Sequence, residues 1–240
     1  MAAEELRSPV ILAHYVNTGA YSGHDWFYET AKWMAGKVSV PVAIHLDHGD
    51  SFERCMEMLK LGFTSIMFDG SALPVEENEA VARVCRSFGV PLEAEIGELC
   101  RLDDRGNKIG ASNIADPDVV RQYLKLCHPD SLAIGIGNAH GFYNGPVDIR
   151  VEVLEECRKF TDIPFVLHGC TGMDEELVKR SIDSGVAKIN FGTQVRCQYV
   201  NYLKEGLAEG KDQGHAWKLS QYAELRLRED IKDIIRLAGS

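Results

Sequence analysis

The chain has 240 residues, enough for one barrel-sized domain and too few for two ordinary ones. Its 45% hydrophobic and 26% charged content is that of a soluble globular protein, and a formal net charge of −10 argues against nucleic acid or an anionic membrane as a main partner. The seven cysteines show no CxxC pairing, the longest apolar runs are strand-sized, and the opening MAAEELRSPV has none of the regions of a signal peptide, so reduced thiols and a cytoplasmic location are expected.

In chain order, short apolar runs recur at Val10–His14, Val42–Leu46, Ser65–Phe68, Leu92–Ile96, Ser131–Gly137, Phe165–Leu167 and Lys188–Phe191. Segments of helical period lie between them, such as Phe52-Cys55-Met56-Leu59, Val81-Val84-Cys85-Phe88, Val119-Val120-Tyr123-Leu124 and Leu177-Ile182. Asp116-Pro117 reads as a helix start, as does Thr171–Glu175, while Gly62, Gly89 and Gly185 sit where helices should stop. The last segment, Trp217–Leu237, reads as helix. Strands alternating with helices imply a parallel sheet covered by helices.

Seven strands are countable, whereas a closed parallel barrel has eight. The polar residues favour the barrel all the same. His48, Asp69, Glu95, His140, His168 and Asn190 all fall at the carboxyl ends of different strands, and only a curled sheet brings such positions to one mouth. The expected fold is therefore an α/β protein of the TIM (β/α)8 type that lacks its first β-strand and most of its first helix, in one domain over residues 1–240. The strands at Val10–His14 and Lys188–Phe191 should flank the gap or draw partly together.

Three histidines stand at strand ends: His48 in His45-Leu46-Asp47-His48, His140 before Gly141, and His168 before Gly169. One would be ordinary. Three imidazoles with an open position make a catalytic zinc arrangement. His24, His128 and His215 lie in polar or loop segments, His14 ends the first strand, and His45 shares strand parity with Asp47, which places it one layer deeper. Asp47, beside a candidate ligand, is either an orienting carboxylate or a general acid and base. Asp69 and Glu95 are further carboxylates whose plain role is hydrogen bonding to loop amides or to the histidines. Two glycine-containing turns, Gly169–Gly172 and Asn190–Thr193, each expected to open a helix, suit a phosphate.

Taken together, HLDHGDSFE, MFDGSALP, LEAEIGEL, GNAHGFY, LHGCTG and KINFGTQ resemble the class II fructose-bisphosphate and tagatose-bisphosphate aldolases, in order and over nearly the whole chain. The resemblance implies a zinc-dependent cleavage of a ketose 1,6-bisphosphate to dihydroxyacetone phosphate and an aldehyde through a metal-stabilised enediolate. By it, His48, His140 and His168 are zinc ligands and Asp47 is the acid and base. Gly169, Thr171, Asn190 and Thr193 hold the dihydroxyacetone-phosphate half, and Gly141 lies near a monovalent cation, Na+ or K+. Asp69 and Glu95 lie near the metal as alternate ligands or supports, Glu95 beside a mobile loop. A homodimer or homotetramer is implied.

Three departures from the family pattern stand out. A YAVPAFN-like opening strand and helix are absent, with Met1–Arg7 matching the end of that helix. Tyr15 replaces a Ser or Thr that faces the aldehyde half, and the Gly-Gly-Ser-Gly turn reads Gly169-Cys170-Thr171-Gly172. Other readings stay open: a Schiff-base aldolase using Lys188, a zinc-dependent sugar-phosphate epimerase, or a non-catalytic or weakly active partner of an aldolase.

Overall fold

A computed structural model describes residues 1–97, 114–143 and 148–239, with the backbone of 100–102 and 108–109. Among the described residues ten strands run in chain order: β1 (Val10–Tyr15), β2 (Val42–Gly49), β3 (Ser65–Phe68), β4 (Leu92–Ile96), β5 (Cys100–Leu102), β6 (Lys108–Ile109), β7 (Ser131–Ile134), β8 (Ala139–His140), β9 (Phe165–Leu167) and β10 (Val186–Ile189). Seven make one parallel sheet in the order β1-β2-β3-β4-β7-β9-β10. The sheet curls: Lys188 on β10 reaches His45 on β2 at 3.3 Å, although four strands separate β2 from β10 along the sheet. The fold is thus an open barrel of seven strands, and β1 and β10 are its two edges.

Local chemistry explains the helices between. Asp116 caps Pro117–Leu126 by accepting from Asp118 N, with proline at the first turn. Ser51 accepts from Arg54 N to start Phe52–Leu61, which Gly62 ends at φ 105°. Gly89 ends Val75–Phe88 in the same way. One buried cluster packs Leu46, Met58, Phe63, Ile66 and Val81 on one flank of the sheet, and a second packs Leu132, Ile134, Leu154, Phe165 and Leu167 on the other.

Several elements differ from the sequence expectation, β2 among them, which runs on to Gly49. The strand expected at Ser131–Gly137 stops at Ile134, and the last strand is Val186–Ile189, so Asn190 and Phe191 lie beyond it. The helix after Gly169–Gly172 begins only at Glu175, capped by Asp174, so that turn does not itself open a helix. The turn at Asn190–Thr193 does: Gly192 is the cap of Thr193–Ala208. Finally, His140 lies not at the end of β7 but in β8, which joins β5 and β6 in a separate three-stranded sheet. Among the described residues no helix is long and apolar enough to cross a membrane.

Between the edges β1 and β10 lies a cleft of about 900 Å³. Its outer wall is apolar, with Trp26 and Met34 from His24–Ala35 and Ile231, Ile234 and Ile235 from Ala216–Leu237. Its inner end is polar, lined by Asp47, Lys188 and Asn190. The expected gap is present and opens directly into the mouth.

Candidate metal centre and active site

The three histidines converge. One ring nitrogen from each of His48, His140 and His168 lies within 4.8 Å of the others, and the ring centroids are 5.0 to 5.9 Å apart. Each arrives from a different support. His48 ends β2 in a left-handed backbone with φ 54°; His168 follows β9 directly; His140 is held by the pairing of β8 with β5.

Two tethers fix the turns that carry these histidines. Asn138 accepts from Ile136 N at 3.0 Å through Oδ1, and its Nδ2 donates to the His168 carbonyl at 2.7 Å. Tyr143 Oη accepts from Ala139 N at 2.9 Å and donates to the Gly169 carbonyl at 2.8 Å. Gly169 has φ 67°, and a Cβ there would lie 2.3 Å from the Ala139 carbonyl oxygen, so only glycine lets the two turns approach this closely.

The donor set fits a metal ion. His48 Nδ1 donates to Asp69 Oδ2 at 3.2 Å, while its buried Nε2 has no hydrogen-bond partner among the described residues. An orphaned buried nitrogen is costly in an ordinary core and is the expected state of a ligand atom. Burial opposes charge on His48, but the Asp69 hydrogen bond and the carboxylates of Asp47, Glu95 and Asp69 outweigh it and raise the pKa to about 8. That negative surround favours a cation of any kind. Asp69 is held below its ordinary value chiefly by the His48 hydrogen bond. Glu95 Oε2 lies 4.0 Å from His48 Nδ1, and His48, Asp69 and Glu95 form a second group with converging ligand atoms.

Asp47 faces the same mouth, where Asn190 Nδ2 donates to its Oδ1 at 3.4 Å and also to His168 Nδ1 at 3.2 Å. Tyr15 stands at the rim with its ring centroid 6.1 Å from that of His48, and Asn17 Nδ2 donates to its hydroxyl at 3.1 Å. Thr171 is buried and accepts from Gln194 N at 3.2 Å, joining the first turn to the amino end of Thr193–Ala208. Gly141 adopts φ 124° directly after His140. The loop expected beside Glu95 falls largely outside the described residues.

The remaining histidines lie apart from the cluster. His14 is buried against Phe27 and bonds His24 at 2.8 Å; His128 sits by Glu79, and His215 by Trp217. Lys188 Nζ donates to Glu93 Oε2 at 2.7 Å and to His45 Nε2 at 3.3 Å. An ammonium so held is not a free nucleophile, which disfavours a Schiff base there. Sequence reasoning passed over Glu93 and Arg196, whose Nη2 donates to Thr193 Oγ1 at 3.3 Å. Glu93 lies two residues from Glu95 on the same face, and that parity was the available signal.

Comparison with known proteins agrees with the geometry. The family model described as fructose-bisphosphate aldolase class-II matches residues 1–240. A Bacillus subtilis (strain 168) protein named probable fructose-bisphosphate aldolase is 37% identical over 249 residues, covering 100% of this chain and 86% of that protein. The crystal structure of the YdjI aldolase from Escherichia coli K12 is similar with a TM-score of 0.83 and 29% identity, over 100% of this chain and 84% of that one. A fructose-bisphosphate aldolase from Campylobacter jejuni shares the fold, with a TM-score of 0.79 at 21% identity over 99% and 85% of the two chains.

Proposed function

This chain belongs to the class II fructose-bisphosphate aldolase family, and from that premise we propose that it carries out zinc-dependent, reversible aldol cleavage of a ketose 1,6-bisphosphate, of the fructose or tagatose type, to dihydroxyacetone phosphate and an aldehyde. The observation that carries the reading is the meeting of three imidazoles beside one carboxylate, Asp47, in a single mouth.

His48, His140 and His168 would hold the zinc, with Asp69 and Glu95 as supports or alternate ligands. When bound, zinc supplies Lewis-acid polarisation of the ketose carbonyl and offsets the negative charge left when the C3–C4 bond breaks. Asp47 takes the C4 hydroxyl proton in cleavage and returns it in condensation. Asn190, by donating to Asp47, keeps that carboxylate turned into the mouth. Gly169, Thr171, Asn190 and Thr193 hold the dihydroxyacetone-phosphate half, its phosphate lying over backbone amides at the start of Thr193–Ala208. Tyr15 faces the aldehyde half and narrows it relative to a Ser or Thr.

The test is an aldol-cleavage assay over fructose and tagatose 1,6-bisphosphates and related deoxy-sugar phosphates, with zinc and after chelation. Cleavage that a chelator abolishes and zinc restores is expected. Cleavage that survives chelation and is trapped by borohydride would overturn the reading in favour of a lysine mechanism.

A further inference from the structure

Beneath the mouth runs a polar chain that the aldol chemistry does not itself require. Glu93 lies within β4 and is only 2% exposed. Its Oε1 accepts from His168 Nε2 at 2.8 Å, and its Oε2 accepts from Lys188 Nζ at 2.7 Å. Lys188 also donates to His45 Nε2 at 3.3 Å, which leaves the His45 Nδ1–H to donate to Ser65 Oγ at 2.8 Å. Ser65, His45, Lys188 and Glu93, from four strands, thus form one run that ends on His168.

A buried ion pair is a poor source of stability, because the cost of taking two charges out of water offsets most of their attraction. What the run does achieve is at its end. A neutral imidazole carries one N–H and one lone pair, and the partner of the first decides where the second points. Since Glu93 accepts the proton on Nε2, the lone pair of His168 is on Nδ1, the nitrogen that faces Asn190 and the mouth. Lys188 donates to the other oxygen of Glu93, so the opposite tautomer would set the Nε2 lone pair of His168 against a carboxylate oxygen 2.8 Å away.

We infer that Glu93, locked in place by Lys188 and His45, is a positioning residue that fixes the ring and tautomer of His168 and aims its Nδ1 at the metal centre. This rests on the zinc reading above. Outer carboxylates on histidine ligands are worth about 10- to 100-fold in metal affinity.

The experiment measures zinc affinity of the full chain by competition with a chromophoric chelator, for the wild type, Glu93→Gln, Glu93→Gln with Lys188→Gln, and His140→Ala. Glu93→Gln should weaken zinc binding about 10- to 100-fold. The double variant guards against misfolding: with no stranded lysine its Tm should return toward the wild type while zinc affinity stays low. Recovery of both together would overturn the inference. In the metal-free wild type, long-range proton–nitrogen correlation should show His168 protonated on Nε2, and an Nδ1–H tautomer would also overturn it. If wild type and His140→Ala bind zinc alike, the zinc reading falls and takes this inference with it. If they differ but Glu93→Gln binds as the wild type does, this inference alone falls.

Discussion

Asp47 and His48 are consecutive residues of one strand, yet both side chains open into the same mouth, because His48 adopts φ 54° where the pairing of β2 with β3 slips between Leu46 and Gly49. Regular alternation would send one of them into the helical layer. A left-handed non-glycine residue costs roughly 1–2 kcal/mol, and here that cost sets a carboxylate beside one imidazole of the histidine cluster. The roles proposed for the two can be told apart by measurement.

Asp47→Ala should keep its zinc and lose roughly 100- to 10,000-fold in turnover, the usual worth of general acid–base catalysis. Metal content by atomic absorption and kcat on the same preparation decide it. Equal loss of zinc in Asp47→Ala and His140→Ala would show Asp47 to be a ligand rather than a proton carrier.

Zinc should also stabilise the fold, since an ion that binds only the folded chain adds about 2.7 kcal/mol at one hundred times its Kd. Scanning calorimetry should show the wild-type Tm rising with zinc, and His140→Ala should show almost no rise. A zinc-dependent Tm that survives His140→Ala would move the site elsewhere.

The parts of this arrangement readable from sequence were those with local periodicity. Seven apolar runs gave seven strands, and three His residues at run ends gave the cluster, because each signal sits within a few neighbouring residues. His45 was placed a layer deeper by strand parity alone, and it is fully buried. What escaped has no local period. The two-residue strand that carries His140 is too short to alternate, and its partner β5 lies far back in the chain. Glu93 and His168 are 75 residues apart, so only the curl of the sheet reveals their contact. Phe191 carries the apolar signal past Ile189, where pairing with β9 ends, so the sequence alone places the last strand two residues late.

Acid should weaken the metal-free fold well above the range of carboxylate titration. Burial depresses His14 to about 4 and His45 to about 3, against 6.5 in an unfolded chain. Below pH 6.5 the unfolded state therefore takes up protons that these rings refuse in the fold, and stability falls as pH drops. His48, raised to about 8, acts in the opposite sense, its contribution complete below 6.5 and lost as pH rises through 8. Burial also lowers His24 and His168, so four depressed rings against one raised leave a net fall. Chemical denaturation of metal-free protein should give lower stability at pH 5 than at pH 7, with a shallower decline in His14→Phe. A stability that is flat or rising from pH 7 to pH 5 would contradict the burial of these rings.

The cleft between β1 and β10 sets the last expectation. Among the described residues each edge leaves backbone groups without a sheet partner on one side, and Asp47 and Asn190 line the cleft between them. Hydrogen exchange should find the amides of Val10–Tyr15 and Val186–Ile189 exchanging faster than those of β3 and β4, which are paired on both sides. Protection of Val10–Tyr15 and Val186–Ile189 equal to that of β3 and β4 would mean that the two edges close on each other in solution.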